Sequence, residues 1–315
     1  QNNEFLANYL IQNSIWWIEY ADLDGIRMDT YPYSYKEFMA KWMKRILFEY
    51  PGFNVVGESW LPDPANVAYW QEDANNRDGY KSYLGNVFDF PLMYAMSAAF
   101  NEKDDWNNGV VKLYDALGKD FLYGKPENIV IFSDNHDGDR FYTKVGENLD
   151  KYKLAMAFLT TTRGIPEIYY GTEILMTGHE NRGHGDIRKD FPGGWEGDKA
   201  DACTKEGRTK EQNEAFDYLS NLLNWRKTKE VIHTGKLKHF IPENGVYVYF
   251  RYNDDESVMV ILNNSDKEQA FTTEKFAENL KGFNSGNEII SGEKLENFDE
   301  IIIPEKSAMI VELVK

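Results

Sequence analysis

The sequence predicts an α/β protein: part of a (β/α)8 barrel, followed by an antiparallel β-sandwich domain. Three observations carry this. Over the first 230 residues, short apolar runs alternate with amphipathic helical stretches, the pattern of a parallel sheet covered by helices. The strand starts, near 26, 54, 86, 129 and 166, lie 28 to 43 residues apart, the spacing of βα units. Beyond about residue 230 the runs become short and turn-separated: GVYVYFRY, SVMVILNN, EIIIP and SAMIVELV. Five βα units are visible, whereas a closed barrel takes eight and about 250 residues. The expected domains are therefore 1–230, a partial barrel, and 231–315, all-β.

The elements follow in order. Residues 3–20 read as helix, with Phe5, Leu6, Tyr9, Leu10 and Ile15 at helical spacing. Asp24-Gly25 signals a turn, and residues 26–28 a strand. Ser34 and Glu37 have the spacing of a capping box for a helix that turns Phe38, Met39, Met43, Ile46 and Leu47 inward. Pro51-Gly52 stops it, and residues 53–56 form the next strand. A short helix is expected over 64–71, a third strand over 86–90, and helices to about 100 and over 108–118. NIVIF at 128–132 is the fourth strand, 149–162 a helix, and IPEIYYG at 165–171 the fifth strand. A Gly-rich loop spans 172–208, long enough to suggest function. The final helix of the first domain runs over 209–227.

Composition narrows the function. Aspartate and glutamate number 52 against 35 lysines and arginines, a net charge of −17, which argues against nucleic acid as partner. No stretch is apolar enough to span a membrane. The single cysteine, Cys203, excludes an internal disulfide. Aromatics make up 15%, which suits a sugar cleft and a large core equally.

The chemistry sits at the strand ends. Asp29, Glu58 and Asp137 each close a predicted strand. In a parallel barrel those ends share one rim, so residues remote in sequence can meet in one pocket. Paired carboxylates flanking a sugar bond are the apparatus of glycoside hydrolysis: one attacks the anomeric carbon and the other protonates the leaving oxygen. Arg27, two residues before Asp29, points to the same side of the strand and can hold Asp29 ionised. The bland alternative, a helix cap or loop hydrogen bonder, fits any one of the three. It fits less well three carboxylates accompanied by an Arg and a His.

GIRMD, VVGESW and FSDNHD resemble the second, third and fourth signature regions of the alpha-amylase family of glycoside hydrolases, in the family's order. GIPEIYYGTEILMTG and DFPGGWEGD resemble the neopullulanase and cyclomaltodextrinase branch, particularly the starch-utilisation neopullulanases of Bacteroides. The resemblance covers essentially the whole chain. It implies that Asp29 is the nucleophile, Glu58 the acid/base, and Asp137 and His136 the groups that grip sugar hydroxyls. It further implies that Arg27 positions Asp29 and that Trp60 borders the leaving-group side; Tyr31, Arg140 and Trp195 are further cleft candidates.

The pattern departs from the family at its start. The first signature region, the first three strands and the domain inserted after the third are absent, so the chain is expected to be a C-terminal fragment holding about strands four to eight. The gap would be covered by self-association or a complementing N-terminal chain. Calcium, common in the family, would be held by the missing portion, so no cofactor is expected here. His179 and His184 offer too few ligands for zinc. The expected partner is an α-glucan oligosaccharide such as pullulan, cyclodextrin or a malto-oligosaccharide, and the expected location the periplasm. The rival readings are a glucan transglycosylase and a non-catalytic glucan- or protein-binding relative. Retention of all three carboxylates favours an enzyme.

Overall fold

Asn3 opens the fold: its side chain accepts the Leu6 amide at 3.1 Å and caps α1, Glu4–Ala21. The computed structural model describes residues 3–315. They form two units. One runs to Leu92 and includes Ala116–Ile131; the other comprises Met93–Asp115 and Phe132–Lys315. The boundary expected at 230 falls inside the second unit.

In the first unit, α1 is followed by β1 (Gly25–Met28), α2 (Lys36–Glu49), β2 (Asn54–Gly57), α3 (Pro64–Ala68) and β3 (Asn86–Val87). The three strands are parallel in the order β1-β2-β3, with Arg27 opposite Val56 and Met28 opposite Gly57. Ile11 and Ile18 of α1, Met39, Met43 and Ile46 of α2, and Val55 of β2 form its core. Trp42 on α2 also donates its indole N–H to Ser14 on α1 at 2.9 Å, so a buried polar group is satisfied across the helix pair.

Two expectations are corrected here. The Ser34/Glu37 capping box does not form; α2 starts at Lys36 with Tyr35 as N-cap and no side-chain cap. The reason is local: Tyr31–Tyr33 wind into a 3-10 turn that ends on Ser34. The third strand stops at Val87 rather than 90, because the Asp89 carboxylate accepts the Leu92 amide at 3.0 Å at the start of α4, Phe90–Asn101.

Chain order continues through α5 (Val111–Leu117), β4 (Val130–Phe132), α6 (Phe141–Lys144), α7 (Leu149–Thr161), β5 (Ile165–Glu167), α8 (His184–Ile187), α9 (Lys210–Lys227) and α10 (Glu230–His233). The fifth strand is shorter than 165–171. In the second unit, α9 carries the capping box that its sequence spells, Thr209 with Gln212. Arg226 at its far end is buried and donates to the carbonyls of Thr160 (2.8 Å) and Gly164 (2.9 Å), satisfying acceptors left over at the end of α7.

The remaining strands are β6 (Lys236–His239), β7 (Val246–Tyr252), β8 (Ser257–Asn263), β9 (Gln269–Thr272), β10 (Ser285–Glu288), β11 (Lys294–Leu295), β12 (Glu300–Ile303) and β13 (Ser307–Val314), with α11 at Ala277–Leu280. They build an antiparallel six-stranded sheet, β11-β10-β13-β8-β7-β6, and a separate antiparallel pair, β12-β9. Strand β8 is buried at every position and β7 at all but its last. Period-two alternation explains this. Val246, Val248 and Phe250 enter the core shared with Ile301 and Ile303 of β12. Tyr249 faces the other way, its ring edge-on to Phe158 of α7 at 6.0 Å.

Candidate active site

The parallel register of β1 and β2 brings their carboxyl ends level. The chain then continues the ladder for one more bond, Glu58 N–H to the Met28 carbonyl at 2.9 Å. Side chains at Arg27, Asp29 and Glu58 consequently share one end of the first unit's sheet. One guanidinium joins them: Arg27 Nη1 donates to Asp29 Oδ1 at 2.8 Å and Nη2 to Glu58 Oε1 at 2.5 Å. Two carboxylates this close repel, and a cation between them offsets that repulsion. Their surroundings differ sharply. The Asp29 side chain is 67% exposed, while that of Glu58 is 4% exposed.

Thr30 was not singled out by the sequence, yet it holds the arrangement together. It sits in the left-handed region, φ 47°, where a β-branched residue is strained by about 1–3 kcal/mol. Its N–H donates to Glu58 Oε2 at 3.0 Å, and the next amide, Tyr31, donates to the Glu58 carbonyl at 3.0 Å. Glu58 therefore fixes the turn after Asp29 with both its side chain and its main chain.

The structure places Tyr31 in the core of the first unit. It is fully buried, edge-on to Trp70 at 5.8 Å, and burial pushes its phenol above the ordinary range. Gly57 is required beneath it: a Cβ there would stand 3.1 Å from the tyrosine ring and 2.6 Å from Leu84. Trp60 is partly buried, with its ring stacked on Phe90 at 5.0 Å.

In the second unit, His136 Nε2 and Asp137 Oδ2 are 3.0 Å apart. Arg188, from the Gly-rich loop, bonds the other Asp137 oxygen and donates from Nε to the His136 carbonyl at 2.7 Å. Nothing in the sequence flagged Arg188; its spacing from Asp137 has no local meaning. The structure places Arg140 inside the second unit. It is fully buried, stacked 3.9 Å over the Tyr169 ring, and donates to the Tyr170 carbonyl at 2.6 Å. Trp195 is exposed in its loop, where its N–H reaches Asp198.

Asp134 anchors the start of the His136–Asp137 loop. Its buried carboxylate accepts the Phe141 amide at 2.9 Å, the Ser133 hydroxyl at 2.9 Å and the Thr172 hydroxyl at 3.1 Å. Burial pushes this carboxyl above the ordinary range, against the pull of the Phe141 amide and of Lys144. A raised value in the folded state means stability that is present at acid pH and lost as pH rises through that value. Asp134→Asn keeps an acceptor for Phe141 and removes the titration. Its unfolding free energy is expected to gain on the wild type as pH rises above the ordinary carboxylate range toward neutrality, measured by urea denaturation. Asp134→Ala strands its donors and is expected to cost about 3 kcal/mol at any pH in that window.

Among the described residues no cluster of three or more His, Cys, Asp or Glu could hold a metal ion. No helix among them is long and apolar enough to cross a membrane.

Comparison with known proteins places these residues in context. Residues 1–253 match the alpha amylase catalytic domain, and residues 237–312 the cyclo-malto-dextrinase C-terminal domain. The chain is 28% identical over 298 residues to a cyclomaltodextrin glucanotransferase of Niallia circulans, covering 92% of this chain and 38% of that protein. It is 27% identical over 267 residues to an alpha-amylase of the same organism, covering 83% of this chain and 44% of the relative. The crystal structure of an alpha-amylase from Geobacillus thermoleovorans, complexed with acarbose, superposes with a TM-score of 0.81 at 25% identity, over 100% of this chain and 65% of that one. The chain thus spans about two fifths of the length of these curated relatives. With the catalytic-domain match running over four fifths of its residues, the chain belongs to the alpha-amylase family.

Proposed function

We propose that this chain is part of a retaining α-glucan hydrolase of the neopullulanase and cyclomaltodextrinase branch, with Asp29 as nucleophile and Glu58 as acid/base. The observation that carries the reading is the Arg27 fork, which joins an exposed carboxylate to a buried one at the ends of two neighbouring parallel strands. Asp29 attacks the anomeric carbon and the glycosidic C–O bond breaks, while Glu58 gives its proton to the leaving oxygen. Water, deprotonated by Glu58, then displaces Asp29 and restores the original anomeric configuration. Asp137 and His136 grip sugar hydroxyls in this reading, and Arg188 holds Asp137 in place.

The match to the cyclo-malto-dextrinase C-terminal domain supports the branch. The partial barrel is supported by β1, which among the described residues pairs on one side only, and by the exposed aromatics of α1, among them Phe5, Tyr9, Trp16 and Tyr20. In this reading another segment, a complementing chain or a second copy covers that face, and the enzyme works in the periplasm. Transglycosylation has its own support in the glucanotransferase relatives, since the same glycosyl-Asp29 intermediate can pass to a sugar hydroxyl instead of water. The test is proton NMR of the first products from pullulan, cyclodextrin and malto-oligosaccharides, with and without excess acceptor sugar. α-Anomers are expected initially. β-Anomers, or no turnover by the complete protein, would overturn the assignment.

A further inference from the structure

Residues 178–189 of the Gly-rich loop lie against the segment that carries His136 and Asp137. The Arg140 amide donates to the Gly178 carbonyl at 3.1 Å, the Gly178 amide to the Thr143 hydroxyl at 3.0 Å, and the Glu180 amide to Asp139 Oδ1 at 2.6 Å. These bonds fix the first arm of the loop. Arg188, which reaches Asp137 and the His136 carbonyl, stands on the second arm. Its side chain is long and 40% exposed, so it keeps one geometry only if its main chain is held.

Asp186 joins the two arms. Its Oδ2 accepts the His179 amide at 2.8 Å, and its Oδ1 meets Lys189 Nζ at 2.8 Å. Lys189 and the His179 amide hold this carboxyl below the ordinary carboxylate range. Both bonds are therefore charge-assisted at neutral pH, the stronger kind. The arms also cross closely. A Cβ on Gly178 would stand 2.4 Å from the Asp186 carbonyl oxygen and 2.9 Å from Ile187 Cα. Ile187, between Asp186 and Arg188, is fully buried. One side of this apolar peg is thus tied to the first arm, and the other side presents the guanidinium to Asp137.

We infer that Asp186 is a positioning residue: by tying the arms of the 178–189 loop it holds Arg188 on Asp137 and on the His136 carbonyl. What that pair then does, gripping sugar, rests on the functional reading above.

The test pairs two measurements on the complete protein: trypsin cleavage after Arg182, inside the tied loop, followed by mass spectrometry, and steady-state kinetics on malto-oligosaccharides. Asp186→Ala is expected to be cleaved at Arg182 about tenfold faster, because the loop opens more often. Its kcat/KM is expected to fall by about threefold to tenfold, mainly through KM. Asp186→Asn keeps an acceptor for the His179 amide and should stay within about threefold of wild type in both measurements. In an Arg188→Ala background, Asp186→Ala should change kcat/KM by less than about twofold, since the tie then has nothing to position. Unchanged cleavage at Arg182 would overturn the inference. So would losses that multiply in the double variant, or cleavage that accelerates throughout the chain, which marks general unfolding. The two readings fail separately. Faster cleavage at Arg182 in a protein that turns over no α-glucan would sink the hydrolase and leave the tie standing. Turnover that Asp186→Ala leaves untouched would do the reverse.

Discussion

Asp29→Asn is expected to lower kcat on malto-oligosaccharides by on the order of 10⁴ to 10⁶-fold, with a far smaller change in KM. The amide keeps an oxygen for Arg27 Nη1 but cannot form the ester to the anomeric carbon, so the covalent route is closed. Because the side chain is largely exposed and its bond to Arg27 is replaceable, the fold should lose no more than about 0.5 kcal/mol. Steady-state kinetics in the complete protein, paired with denaturation of the same variant, separate the two effects. Normal turnover would refute the assignment of the nucleophile. A large loss of stability would show that Asp29 carries structural weight the geometry does not reveal.

The second large effect concerns Arg27. Arg27→Met leaves the Glu58 carboxylate buried with only the Thr30 amide as partner. Stripping one member from a buried pair costs about 3–5 kcal/mol. Arg27 is itself one-third exposed, so solvent screening reduces the expected loss to about 2–3 kcal/mol. Adding Glu58→Gln removes the stranded charge, and the double variant is expected to recover about half of that loss. Urea denaturation of the two single variants and the double variant gives the coupling directly. If the double variant falls by the sum of the single effects, Arg27 and Glu58 are not energetically linked. Activity should be absent in all three.

How much of this was legible beforehand follows from what each feature depends on. Strand ends could be read because turn signals and apolar runs are local, and with them came the positions of Asp29 and Glu58, each one residue past its strand, whereas Asp137 lies five residues past β4. The long helices α1, α7 and α9 followed for the same reason. Whether a polar side chain faces a cleft or the core is decided by neighbours far away in sequence. Tyr31 and Arg140 show this: one is buried against Gly57, the other under Tyr169 and Tyr170. Thr30 was invisible because β-branched residues avoid the left-handed conformation, so only the structure shows that Glu58 holds one there. Arg188 meets Asp137 across 51 residues, a separation at which spacing carries no information. Asp134 lay in plain view within FSDNHD, but its partners Phe141 and Thr172 are set by the fold.

Strands β7 and β8, hemmed in on both faces, have a practical corollary. Almost any polar side chain introduced along them would be forced into contact with either the α7 side or the β12 side, so this hairpin has little room to vary. Freedom is concentrated at its tip, where Asn253 alone gathers the amides of Asp255 and Glu256 in water. A fluorescent tag or affinity handle spliced between those residues would lengthen the protein without entering either layer, a tolerant seam beside the least forgiving pair of strands in the chain.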